Sequence, residues 1–150
     1  MKSASIYRLN DGGYLIHGHR IATTGVRLGS EPFINLQEGA ESNEVVRAIR
    51  SALSNDDSTR VPHPKDWKQF NAEFLKKTGL KSLKRLLHPY AKLVAVGEKN
   101  NEIIFTPTIP AKKPDSGFLF MGEADKVAVL SKASNQEIFS AFELALNRCE

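Results

Sequence analysis

The chain has 150 residues, with 21 Lys and Arg against 17 Asp and Glu for a formal charge of +4, and 41% of its residues are hydrophobic. This length buries about two-thirds of the unfolded surface in one domain, and the ordinary apolar and charged fractions exclude a disordered tail-like chain or a fibrous repeat. No apolar run approaches the roughly 20 residues that span a bilayer and no apolar leader follows Met1, so the sequence reads as a soluble, cytoplasmic protein. The lone Cys149 cannot form an internal disulfide.

Ser5–Leu9 and Tyr14–His17 flank Asn10-Asp11-Gly12-Gly13, residues that tolerate positive φ, and predict a β-hairpin. Thr23 to Leu36 is β-branched and apolar but broken by Gly25, Gly29 and Pro32, which suits an irregular edge segment better than a central strand. Ser42 or Asn43 is the expected cap of a first helix ending near Leu53, and Asn55-Asp56-Asp57-Ser58 stops it.

Pro64 fits the first turn of a second helix, along which Trp67, Phe70, Phe74 and Leu75 recur at helical spacing until Gly79 closes it. That aromatic stripe reads as core packing rather than a stacking platform for bases, because lysines occupy the other faces. A short third helix is expected from Ser82 through Leu83, Leu86 and Leu87, ending before Pro89.

Ala91–Val96 and Glu102–Thr106 form a second hairpin turned by Glu98-Lys99-Asn100-Asn101. Pro107 and Pro110 are expected to end its second strand. After a polar loop, short strands follow at Gly117–Phe120 and Lys126–Leu130. Ser134, with Glu137 three residues on, then opens a final helix whose apolar stripe is Ile138, Phe139, Phe142, Ala145 and Leu146.

Asn43–Leu53 aligns without gaps on Gln136–Leu146, so both helices are expected on one sheet, with Ala48, Ala52, Ala141 and Ala145 allowing close approach. The order of elements predicts a single α+β domain: a mainly antiparallel sheet built from two hairpins plus short strands, with helices packed on one face.

Chemistry is sparse. His17 and His19 sit two apart and share one face of a strand beside Arg20. They suggest either metal ligands or an acid and base for RNA cleavage, but a structural metal needs about four ligands and no partner cluster lies within reach by sequence. His63 lies between prolines and His88 before one. No phosphate loop, dinucleotide fingerprint, hydrolase elbow or zincin motif occurs, so no cofactor or metal is expected. From Arg60 to Lys99 ten Lys or Arg face three acids. Such a stretch suits phosphates, an acidic protein surface or the solvated face of two helices. A small basic RNA-binding or RNA-cleaving protein is therefore the alternative reading.

The second half, Gly79-Leu80-Lys81-Ser82-Leu83-Lys84-Arg85-Leu86, the hairpin ending Ile103-Ile104-Phe105-Thr106-Pro107-Thr108, then Gly117-Phe118, Val127–Leu130 and Leu144–Cys149, resembles the immunity proteins (CdiI) of bacterial contact-dependent growth inhibition systems. The resemblance extends from about Gly25 onward and is carried by packing residues and turn signals. It implies a cytoplasmic non-enzyme that binds a cognate C-terminal toxin domain, often a nuclease, as a one-to-one heterodimer with no membrane or nucleic acid involved. Inhibitors of nucleases often mimic acidic nucleic acid, and this basic chain instead points to an exosite or a local acidic surface. The candidate toxin-binding residues are His17, His19 and Arg20, then Asp56, Asp57 and Arg60, then Lys112, Lys113 and Asp115, since loops held by a rigid sheet collect binding residues.

Overall fold

A computed structural model of the protein describes residues 2–54 and 59–150. Its elements are β1 (Lys2–Leu9), β2 (Tyr14–Ile21), β3 (Arg27–Leu36), α1 (Ser42–Ala52), α2 (Trp67–Thr78), β4 (Ala91–Lys99), β5 (Glu102–Pro110), β6 (Phe118–Phe120), β7 (Val127–Leu130) and α3 (Asn135–Arg148), with short 3-10 turns at Leu83–Leu86 and Glu123–Asp125. The seven strands form one antiparallel sheet in the order β3-β2-β1-β4-β5, and β6 and β7 both line the outer edge of β5. The α+β architecture expected from the sequence is the one found.

Both hairpins turn where the sequence placed them. Gly12 has φ +92° and the Gly13 N–H donates to Asp11 Oδ1 at 2.7 Å. Asn100 and Asn101 both take left-handed backbone (φ 54° and 63°), the two-residue geometry whose twist matches that of the strands it joins. β3 is an irregular edge strand: its pairing slips between His17–Phe33 and Gly18–Ser30, so Glu31 and Pro32 are looped out of the ladder and the missing proline donor breaks no pair.

One face of the sheet carries the apolar core. Ala4, Ile6, Ile16, Val94, Val96 and Phe105 meet Val45, Ile49 and Ala52 of α1 and Ile138, Phe142 and Ala145 of α3. Phe142 is fully buried, its ring 6.0 Å from those of Tyr14 and Phe105. The echoed helices do share this face. Ala48, Ala52, Ala141 and Ala145 are all buried between helix and sheet, and α1 and α3 are tied by Asn135 Nδ2 donating to Asn43 Oδ1 at 3.3 Å. Ser134 caps α3 as its spacing predicts, accepting the Glu137 N–H at 3.2 Å.

The structure departs from the sequence expectation in five places. Helices cover both faces, not one: Phe74 of α2 packs against His17 and Phe33 at 5.4 Å each, on the side opposite α1 and α3. The reason is in β2, whose first five residues are all buried, so Leu15 needs cover as much as Ile16 does. α1 is capped by Glu41, not Ser42 or Asn43; the Glu41 N–H donates to Glu44 Oε1 at 3.3 Å. α2 begins at Trp67 rather than around Pro64, because Asp66 Oδ1 accepts from the N–H groups of Lys68 and Gln69 at 3.0 and 3.2 Å. The third helix is only the 3-10 turn Leu83–Leu86, and Ser82 makes no side-chain cap bond. β5 continues through Pro107 to Pro110. Pro107 falls in the gap between β7, which pairs as far as Phe105, and β6, which pairs from Thr108, so its missing N–H costs no ladder bond. Gly79 ends α2 in left-handed backbone (φ 74°), as expected. No helix among the described residues is long and apolar enough to cross a membrane.

Candidate functional site

Alternation along β1 and β2 sends Ser3, Ser5, Tyr7, His17 and His19 to the face under α2. The hairpin register sets Ser5 opposite His17 and Ala4 opposite Gly18. His19 lies within 2.8 Å of two hydroxyls, Ser3 Oγ at Nδ1 and Ser5 Oγ at Nε2. A neutral imidazole has one donor and one acceptor nitrogen, so one serine accepts and the other donates, and no ring nitrogen remains available to a metal. His17 Nδ1 donates to the Gly18 carbonyl at 2.8 Å. Its ring stacks on Tyr7 at 5.9 Å and meets His19 edge-on at 5.4 Å.

Burial dictates the protonation of this cluster. Loss of water pushes His19 down to about 3, helped by repulsion from His17 and from the Arg27 guanidinium. The same desolvation lowers His17, opposed by its bond to Gly18, and pushes the Tyr7 hydroxyl up to about 12. At neutral pH all three are uncharged, so the cluster is a hydrogen-bonding surface rather than a proton shuttle. Among the described residues no group of three or more His, Cys, Asp or Glu is gathered to hold a metal.

Over these residues lies a cavity of about 710 Å³. Phe70 and Phe74 of α2, Leu83, Leu86 and Leu87 of the following turn, and Phe118, Phe120 and Met121 from the far edge wall it in, and Leu93, Ala95, Gly97, Ile104 and Thr106 contribute to its floor. The small Ala95 and Gly97 leave the space open where β4 crosses. At Gly29 a Cβ would stand 2.8 Å from Phe74 Cε2 and 3.2 Å from His17 Cε1, so the closeness of α2 to the sheet depends on that glycine. The aromatic stripe of α2 is therefore only half core: Trp67, 43% exposed, leans on His63 and Phe70 at 5.3 and 5.6 Å, while Phe70 and Phe74 line the cavity.

The structure sorts the sequence-derived candidates into separate places. His17 and His19 belong to the cavity floor. Arg20 follows them on β2, and Arg60 lies near the same end of the sheet, donating to the Ala22 carbonyl at 3.2 Å. Lys112, Lys113 and Asp115 are exposed on the loop from β5 to β6, at the opposite end, and the Asp115 N–H donates to the Lys112 carbonyl at 3.0 Å. Asp56 and Asp57 lie outside the described residues. Ser3, Ser5, Tyr7 and Arg27 were not singled out from sequence. The polar alternation Ser3, Ser5, Tyr7, set beside His17 and His19 by the Asn10–Gly13 turn, was the available signal.

What the fold and cavity define is an α+β domain with a half-open sheet face. No protein-family model matches the chain and no curated protein matches it. Solved structures share the fold across nearly its whole length. One is a protein of unknown function from Neisseria meningitidis, with TM-score 0.72 and 18% identity over 99% of this chain and 95% of that one. Another is a chain of the CdiA-CT/CdiI toxin and immunity complex from Yersinia pseudotuberculosis, with TM-score 0.62 and 18% identity over 99% of this chain and 97% of that one.

Proposed function

We propose that this protein is an immunity protein that binds the cognate C-terminal toxin domain of a contact-dependent growth inhibition effector and blocks it without catalysing a reaction. The observation that carries this reading is the end-to-end likeness of its fold to a chain of a toxin and immunity complex. The sequence resemblance to CdiI proteins supports the same reading from packing and turn residues. Inhibition by occlusion needs a rigid surface and no reactive groups. The neutral, internally bonded His17 and His19 suit such a surface better than a general acid and base.

The partner is taken to be a nuclease bound one to one, in the cytoplasm. With a net charge of +4, this chain meets acidic surface on the toxin outside a phosphate-binding cleft, and charge complementarity speeds the encounter. Because the candidates lie at opposite ends of the sheet, they can be tested separately. Arg20→Glu with Arg60→Glu probes one end, and Lys112→Glu with Lys113→Glu the other. His17, 4% exposed, reaches a partner only through the cavity.

The test is to co-express the protein with the toxin domain encoded by the adjacent effector gene, measure growth, and size the mixture by light scattering. The expected result is protected growth and a one-to-one complex, with one of the two charge-reversed pairs slowing association about tenfold. Undiminished toxicity with no complex would refute the proposal, and protection without loss of the toxin's nucleic-acid cleavage would remove the nuclease part.

A further inference from the structure

We propose that the cavity between the sheet and α2 is a binding site for a small apolar monocarboxylate, such as a fatty acid, with its acid held by Arg27 and its chain laid along the cavity. The inference is independent of the immunity reading. At about 710 Å³ the cavity has the size of a ligand pocket, and its lining is mostly apolar with a few convergent polar groups, the usual make-up of such sites. Tyr7, Phe70, Phe74, Leu83, Leu86 and Leu93 give the apolar body a continuous surface.

Charge selects the head group. The described residues lining the cavity include two cations, Arg27 and Lys126, and no Asp or Glu. Lys126 is already paired with Glu123 Oε1 at 2.6 Å. The side chain of Arg27, exposed at the rim of β3, makes no hydrogen bond or ion pair among the described residues, although His19 stands close enough to feel its charge. A guanidinium at the edge of an apolar cavity is matched by one carboxylate, which accepts from two parallel N–H donors. Apart from Lys126, which is already paired, the described lining holds no cation to balance a second charge, so a dicarboxylate is disfavoured. The Tyr7 hydroxyl, which makes no hydrogen bond among the described residues, offers a donor deeper in for an oxygen on the chain.

Titrating the isolated protein with decanoate, followed by calorimetry and amide NMR, tests this against decanol as the uncharged counterpart. The expected result is saturable one-to-one binding of decanoate with shifts at Tyr7, Phe74 and Ala95, and binding of decanol about tenfold weaker. Arg27→Gln, a change at an exposed site, should remove that tenfold preference and leave decanol binding unchanged. Ala95→Leu, which narrows the cavity, should weaken both. Equal affinity for the two ligands, an unchanged preference in Arg27→Gln, or no saturable binding would overturn the proposal. If the toxin domain but not decanoate shifts the same resonances, the cavity belongs to the protein partner; the ligand proposal then fails while the immunity reading stands.

Discussion

Toward α1 and α3 the sheet presents Ala4, Ile6, Ile16, Val94, Val96 and Phe105, every one at most 2% exposed. Toward α2 the same strands present Ser5, Tyr7, His17, Leu93 and Ala95, beneath a cavity and a half-exposed helix. The first face excludes water from large side chains and so supplies most of the hydrophobic stabilisation. The second keeps polar groups dry only by pairing them locally, as Ser3 and Ser5 do for His19, and leaves space that a ligand or partner can fill. Stability and open space are thus separated across one sheet, and β1, β2 and β4 contribute to both faces.

The sharpest way to break this division is to damage one residue on each face. Phe142 is fully buried among Tyr14, Phe105 and Phe139, and Phe142→Ala is expected to cost about 3–5 kcal/mol by leaving a cavity. Phe142→Asp adds an unpaired buried charge and should abolish the folded state, read by circular dichroism. Phe74→Ala on the other face removes a half-buried ring and should cost about 1–2 kcal/mol, with the far-ultraviolet spectrum intact. Equal losses from Phe142→Ala and Phe74→Ala in urea titration would show that the two faces do not differ in this way.

Acid should act on the second face. His19 is held near 3 in the folded state against 6.5 for the free side chain, mainly by burial. Its neutral form therefore contributes fully above pH 6.5, and the contribution is lost as pH falls toward 3, where the unfolded chain takes up a proton that the folded chain refuses. One such group lowers stability by about 2 kcal/mol between pH 7.5 and 5; the lowered His17 acts in the same direction. In His19→Gln, whose amide replaces one donor and one acceptor, the loss over that interval should shrink by about that amount. An unchanged pH profile would mean that His19 is hydrated in solution.

Elements set by local rules were legible in the sequence. The turns at Asn10–Gly13 and Asn100–Asn101, the Ser134 cap and the apolar stripe of α3 each depend on residues close together in the chain. The echo between the helices located them on a common face. What was missed depends on distant neighbours. Tyr14-Leu15-Ile16-His17 reads as a plausible half-buried strand until α2, more than 50 residues later, is seen to cover its other side, although the unbroken apolar run did carry the hint. The strand through Pro107 was hidden because two separate strands share the edge of β5. Trp67, Phe70 and Phe74 looked like core because periodicity reports which face is apolar, not how completely it is covered. The site followed the same rule: His17 and His19 were visible as a pair, whereas their partners Ser3 and Ser5 required the hairpin register, and the cavity required α2.

The smallest expected effects test whether the two faces also unfold separately. Gly79 ends α2 in left-handed backbone, which a side chain strains, and Ser134 caps α3 with a hydrogen bond to the Glu137 N–H. Gly79→Ala and Ser134→Ala should each cost about 1 kcal/mol at the affected helix, but they should be felt differently. α3 is built into the core through Ile138, Phe142 and Ala145, so Ser134→Ala should lower the protection of core amides in β1, β4 and α1 together. α2 contributes Thr78 as its only fully buried residue and reaches the sheet mainly through Phe74. Gly79→Ala should therefore speed amide exchange within α2 severalfold while core amides keep their protection, the signature of a segment that opens on its own. If both substitutions sped exchange at the same set of amides, α2 would be part of the cooperative core, and the cavity it covers would open only on global unfolding.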